Sequence, residues 1–232
     1  MKILLAPSER KRAGGSFSPV NRSSFIFPSV FEKRMNAVKK YDIFLRNCED
    51  VKNFGDDKTS IFQRPTEKAV LRYSGVAFEH MDYMSLDKYA QEWIDNNVLI
   101  FSNLFGVIGA GDHIPNYTLK QGAKPGFDIY AYHAEIFRPL LEEMNEREFF
   151  IDLRAKFYEK IFKPKNALTF KFIKNGKVVS HFAKAYRGKL TAIIAEFRPD
   201  NVDDVLKIEF PGIKIIELQS KKNVLEIVCE VN

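Results

Sequence analysis

The chain has 232 residues, a length that accommodates one large domain or two small ones. Hydrophobic residues at 45% and charged residues at 28% place it among globular chains rather than disordered ones. Thirty-six Lys and Arg against thirty Asp and Glu leave a formal charge of +6, a mild basic excess that suits nucleic acid, nucleotide or phosphate partners.

Residues 2–6, KILLA, read as a buried strand near the middle of a sheet, because nearly every position is apolar. The polar segment after it carries Arg10, Lys11, Arg12 and Arg22 among Gly, Ser and Pro and reads as a loop; it lacks P-loop spacing. From Pro28 to about Asn47 the pattern turns helical, with Val30, Phe31, Met35, Val38, Tyr41 and Leu45 on the apolar face. Thr66 and Glu67 look like a helix start, and Gly75 marks a break between two short helices. Ser85-Leu86-Asp87 resembles a cap for the helix that follows, and 98–102, VLIFS, is a buried strand. Gly106, Gly109 and Gly111 lie in a turn-rich stretch that cannot open a Rossmann helix, since Pro115 and a polar run follow; 117–120 forms a short strand. Residues 129–146 are helical, and Pro139 is expected to kink or split them. A buried strand at 149–154 precedes a short helix ending before Pro164. Two hairpins complete the pattern, one turning at Asn175-Gly176 and one at Lys221 to Asn223, with a short helix at 202–208 between them. No repeat or linker interrupts the chain. The expectation is α/β (mixed α+β): a single domain over 1–232 with a mixed central sheet flanked by helices.

Cys48 and Cys229 lie far apart with no CxxC spacing, so reduced thiols in a cytoplasmic protein are expected rather than a disulfide framework or a zinc site. The four histidines show no metal-ligand spacing, and no metal or cofactor is expected. No apolar stretch approaches the ~18–20 residues of a membrane span, and ILLA is too short for a signal peptide.

The stretch 178–195 concentrates the chemistry. A strand-like run carries Ser180 and His181 to its end; Lys184, Arg187 and Lys189 follow where a helix begins. Free N–H groups and the helix dipole favour anions at such a junction, and cations there add to the same field, although a charged first turn is also what a merely solvated helix shows. Strand ends at 6–12, 102–112, 152–158 and 181–189 all carry polar or basic residues. If they converge, they enclose a cleft lined by Lys11, Asp112, Asp152, Arg154, Tyr158, His181, Lys184 and Arg187. In such a cleft Lys11, Arg154, Lys184, Arg187 and Lys189 would contact phosphates. Asp152, Tyr158 and His181 would be candidates for acid–base work on a nucleotide or nucleobase-like substrate. Each also has an ordinary structural use: Asp152 capping a helix or pairing with Arg154, Tyr158 in the core, His181 in a hairpin.

Five segments in order, APSERK at 6–11, YSGVAFEHMDY at 73–83, LFGVIGAGDHIPNYTLKQG at 104–122, IDLRAKFY at 151–158 and SHFAKAYRGKL at 180–190, together resemble the YaaA family of peroxide-stress-response proteins. The resemblance implies a cytosolic α/β domain with a positively charged cleft, DNA binding with a helix-hairpin-helix element, and a part in limiting oxidative damage. It puts Lys184, Arg187 and Gly188 on the family's Lys-x-x-Arg-Gly positions, Asp152 and Tyr158 on its Asp/Asn and Tyr positions, and Pro7 and Ser8 on its N-terminal Pro-Ser/Ala. The chain departs from it at Gly109-Ala110, Thr118 and Ala155, where arginine-proline, arginine and serine are usual. The turn near 50–57 is the best candidate for the hairpin between helices.

Overall fold

A computed structural model of the chain describes residues 1–179 and 182–231, with Lys221 through its backbone alone. In chain order the elements are β1 (Lys2–Leu5), α1 (Phe31–Arg46), α2 (Val51–Phe54), β2 (Thr66–Lys68), α3 (Ala69–Arg72), α4 (Val76–Met81), α5 (Lys88–Asn97), β3 (Val98–Ser102), β4 (Gly106–Gly109) and β5 (His113–Pro115). They continue with α6 (Ile129–Arg147), β6 (Phe150–Asp152), β7 (Ala167–Lys174), β8 (Lys177–Val178), α7 (Ala183–Phe197), α8 (Val202–Leu206), β9 (Ile213–Lys221) and β10 (Val224–Val231).

The central sheet has eight strands in the order β4-β3-β1-β6-β7-β10-β9, with β8 paired to β7. Neighbours from β3 through β10 run parallel, while β4 and β9 close the two ends antiparallel. Parallel strands are covered on both faces, and that explains why β1 and β3 read as unbroken apolar runs. Ile3, Leu4, Leu99, Ile100, Phe101, Phe150 and Ile151 are fully buried at its middle. The mixed α/β architecture expected from the sequence is the one observed. From β1 the sheet extends to β3 on one side and to β6 on the other, so β1 is where the strand order reverses. Ligand sites in open sheets gather outside the carboxyl ends of strands at such a point.

Several local expectations change. Thr66 and Glu67 do not start a helix: residues 66–68 pair antiparallel with 113–115, and the helix begins at Ala69. The glycine-rich 106–109 is a strand rather than a turn, because pairing with β3 and complete burial outweigh its weak strand preference. Residues 117–120 form no strand. α6 runs unbroken through Pro139; the proline is solvent-exposed, as is Glu135, whose carbonyl loses its helical donor and can turn to water. The segment at 50–57 holds one four-residue helix closed by Gly55 (φ 75°), so no pair of helices flanks a hairpin there.

Other expectations hold. Asp87 caps α5 by accepting from the Ala90 amide. Asn175 and Gly176 turn the β7–β8 hairpin with φ of 52° and 74°, the positive pair that a type I′ turn requires.

Candidate functional site

The carboxyl end of β1 opens into a cleft of roughly 290 Å³. Its floor is apolar, from Leu5, Phe78 and Leu153, and its polar lining comes from Ser8, Glu9, Arg10, Asn103, Tyr158, Lys184 and Arg187. The segments after β1, β3 and β6 and the first turns of α4 and α7 all contribute. Residues from all four segments singled out in the sequence, 6–12, 102–112, 152–158 and 181–189, therefore meet, joined by α4.

Two close approaches set the shape. α7 crosses α4 at Gly188, where even a methyl group would collide with the Ala77 carbonyl. Gly75, ahead of α4, lies against the Ser8 side chain so closely that a Cβ there would overlap its hydroxyl. With both small, α7 is drawn in until Lys184 and Arg187, one turn apart, lie over the cleft. Lys184 is exposed and Arg187 half-buried, and among the described residues no ion pair engages either. Burial pulls the Arg187 guanidinium below its ordinary range, with Asp152 nearby pulling the other way. Arg10, also in the lining, pairs with Glu79 of α4 at 2.8 Å. Lys189 is exposed, lies over the Tyr186 ring and is outside the lining.

The other candidates have structural employment. Asp152 and Arg154 grip one another, Nε to Oδ1 at 2.8 Å and Nη2 to Oδ2 at 2.6 Å. Arg154 is buried and also donates to the Phe162 carbonyl, so its guanidinium serves the turn after β6 rather than the cleft. Asp112 lies away from the cleft. Its carboxylate accepts the amides of Ile26 and Gly109, and burial raises it to about 7 despite nearby Arg34. Tyr158 does line the cleft. Its hydroxyl donates to Asn103 Oδ1 at 2.9 Å, and burial lifts the phenol far above its ordinary range, so it stays neutral. His181 lies outside the described residues.

Asn103 went unnoticed in the sequence and is the hub of the cleft wall. Its amide donates to the Leu119 carbonyl, its side-chain oxygen accepts from Tyr158, and its backbone carbonyl meets His133 Nε2 at 3.4 Å. His133 is fully buried, and that holds its imidazole down to about 3, neutral at any physiological pH. Glu9 was not named either, and Arg10 was named only as one of the basic residues of the loop after β1.

Lys11, expected in the cleft, is not among its lining residues, which end at Arg10 in this loop. The basic loop is pinned to the 72–74 segment: the Arg12 amide donates to the Arg72 carbonyl and the Ser74 amide to the Arg10 carbonyl. The buried Arg72 guanidinium in turn donates to the carbonyls of Arg12 and Gly14. The Lys11 Nζ comes to rest 4.1 Å from the centre of the Tyr117 ring and 5.5 Å from that of Tyr73. It donates to the Glu9 carbonyl at 3.2 Å.

Among the described residues no group of three or more His, Cys, Asp or Glu is placed to hold a metal ion, and no helix is long and apolar enough to cross a membrane.

The family model described as peroxide stress protein YaaA matches residues 1–217. An uncharacterized protein of Campylobacter jejuni is 43% identical over 244 residues, covering 100% of this chain and 99% of that one. A UPF0246 protein of Corynebacterium glutamicum is 31% identical over 248 residues, covering 98% and 100%.

Proposed function

Because this chain belongs to the YaaA family of peroxide stress proteins, we propose that it serves that response by holding a phosphate-bearing ligand of nucleotide size in the cleft at the end of β1. The observation that carries the reading is the pair Lys184 and Arg187, poised over an apolar floor with no ion pair among the described residues. Two cations at the start of a helix attract phosphate through their charge and through the dipole behind them. The apolar floor accepts a base or sugar face, and Asn103, Ser8 and Glu9 supply the few polar contacts that fix orientation.

The ligand's source in this reading is DNA, presented one nucleotide at a time. Lys189, exposed and outside the cleft, supports that choice, since a strand reaching beyond one nucleotide would pass such a cation. Duplex gripped along a wide groove fits less well with a cleft of this volume.

Fluorescence anisotropy with labelled single-stranded and duplex oligonucleotides at several salt concentrations tests the reading, with a mononucleotide as competitor. The expected result is salt-sensitive binding of the single strand that the mononucleotide displaces and that Lys184→Ala/Arg187→Ala weakens at least tenfold, about 1.4 kcal/mol. Binding unchanged in that variant would remove the two residues from the role.

A further inference from the structure

Among the described residues Glu9 is the one carboxylate in the cleft lining. Arg10 and Lys11 follow it in the chain, and Lys184 and Arg187 share the lining with it. None of these cations is paired with it. Arg10 is taken by Glu79, and Lys11 turns its Nζ to the Glu9 backbone carbonyl and to two tyrosine faces. Among the described residues the Glu9 side chain has no hydrogen bond or ion pair, and it is exposed. The backbone that carries it is nevertheless held. The Arg10 amide donates to the Ser8 hydroxyl at 3.1 Å, and the Arg10 carbonyl accepts the Ser74 amide. Burial lifts the phenols of Tyr130 and Tyr158, and Glu9 adds to both, whereas the carboxylate beside Arg187 is that of Asp152. Glu9 therefore stands toward the tyrosine side of the cleft, apart from Arg187. Asn103, by contrast, is spent within the protein, its oxygen on Tyr158 and its amide on the Leu119 carbonyl.

A carboxylate only accepts, through two oxygens side by side. The ligand that answers it carries two parallel N–H donors at one end and phosphate at the other. Guanine alone among the DNA bases has that edge, with N1–H and N2–H pointing the same way. Adenine and cytosine each set an acceptor nitrogen beside their one amino group, and thymine sets its single N–H between two carbonyls. We propose that the cleft selects guanine nucleotides, with Glu9 accepting both donors of the Watson–Crick edge while Lys184 and Arg187 hold the phosphate. That edge is shown only by a base outside the duplex, which agrees with a ligand presented one nucleotide at a time. The phosphate half of the proposal rests on the reading of Lys184 and Arg187 given above; the guanine half stands on Glu9.

Calorimetric titration of the full chain with dGMP, dIMP, dAMP and dCMP tests this, with deoxyguanosine and deoxyinosine as probes that lack phosphate. Inosine keeps N1–H and loses the N2 amino group, so it removes one donor and nothing else. The expected result is dGMP tightest, about tenfold or more over dAMP and dCMP, with dIMP between. Glu9→Gln should bring the four together while keeping the melting temperature, since the side chain is exposed. Lys184→Ala/Arg187→Ala should weaken all four by one factor and leave their order. Four equal affinities that fall together in the double variant overturn the guanine assignment and leave the phosphate reading standing. Deoxyguanosine preferred over deoxyinosine through Glu9, with phosphate adding nothing, upholds the assignment and counts against the phosphate reading. Binding by none of the six overturns both. A Glu9→Gln effect equal for every base would make the carboxylate a mere repeller of phosphate. A preference lost in EDTA would give it to a phosphate-bound cation, and GMP favoured over dGMP whatever the base would give it to the ribose. Each of these three overturns the proposal.

Discussion

Asp152 and Arg154 form a bidentate pair two residues apart, at the point where β6 ends and the chain turns along the cleft. The Arg154 side chain is 1% exposed, so its charge depends on that one carboxylate. Arg154 is thereby fixed as a brace of the turn after β6, the next residue along from Leu153 of the cleft lining.

Asp152→Asn should leave the guanidinium buried without its counter-charge and cost about 3–5 kcal/mol, the usual penalty for breaking a buried pair. Urea denaturation measures it. A cost below about 1 kcal/mol would mean that water reaches the guanidinium.

Gly188→Ala should force α7 off α4. Overpacking of this kind typically costs about 1–3 kcal/mol, and contact with backbone rather than a flexible side chain puts this case at the upper end. Thermal melts report the loss, and ligand affinity should fall with it, since Lys184 and Arg187 ride on the same helix.

Asp112 predicts a pH dependence. Its folded carboxyl is raised to about 7 by burial, whereas the unfolded one ionises near 4. The folded state therefore retains a proton that the unfolded state gives up. Its contribution to stability is full below about 4 and is lost as pH rises through about 7. The difference in stability between wild type and Asp112→Asn, followed by denaturation from pH 4 to 8, should shift against the wild type across that window. A constant difference would refute the assignment.

Cys229 is buried at the β10–β7 pairing, and burial pushes its thiol up to about 12. Because the thiolate is the reactive form, Cys229 should resist millimolar peroxide in the folded protein and oxidise only after denaturation, as mass spectrometry of its peptide would show. Oxidation in the native state at the rate of a free thiol would contradict this.

Much of the architecture is legible from residue pattern. Asn175-Gly176 announces its turn because two successive positive φ values leave few other choices, and β1 announces a central place because both its faces are apolar. What stayed hidden depends on partners distant in sequence. GVIG at 106–109 looks like a turn until it lies against Leu99 to Ser102. Arg34 looks like part of a solvated face, yet it is fully buried between Phe25 and Phe137 and donates to the Phe105 and Val107 carbonyls. The site divides in the same way. Lys184 and Arg187 stand out because a strand meets a helix there. Asn103 becomes visible only once β3 is known to flank β1, and the pairing that withdraws Arg154 from the cleft is an orientation no spacing encodes.

The sheet order also governs how the chain can be assembled. β1 lies between strands about a hundred and about a hundred and fifty residues downstream, and β10 is inserted between β7 and β9 rather than added at an edge. The sheet cannot close until β10 has been made, and Ile3, Leu4 and Leu5 have no strand beside them until β3 follows about a hundred residues later. Contacts so distant in sequence make for slow folding and a long interval of exposed apolar strands, during which a chaperone would have to shield the amino terminus.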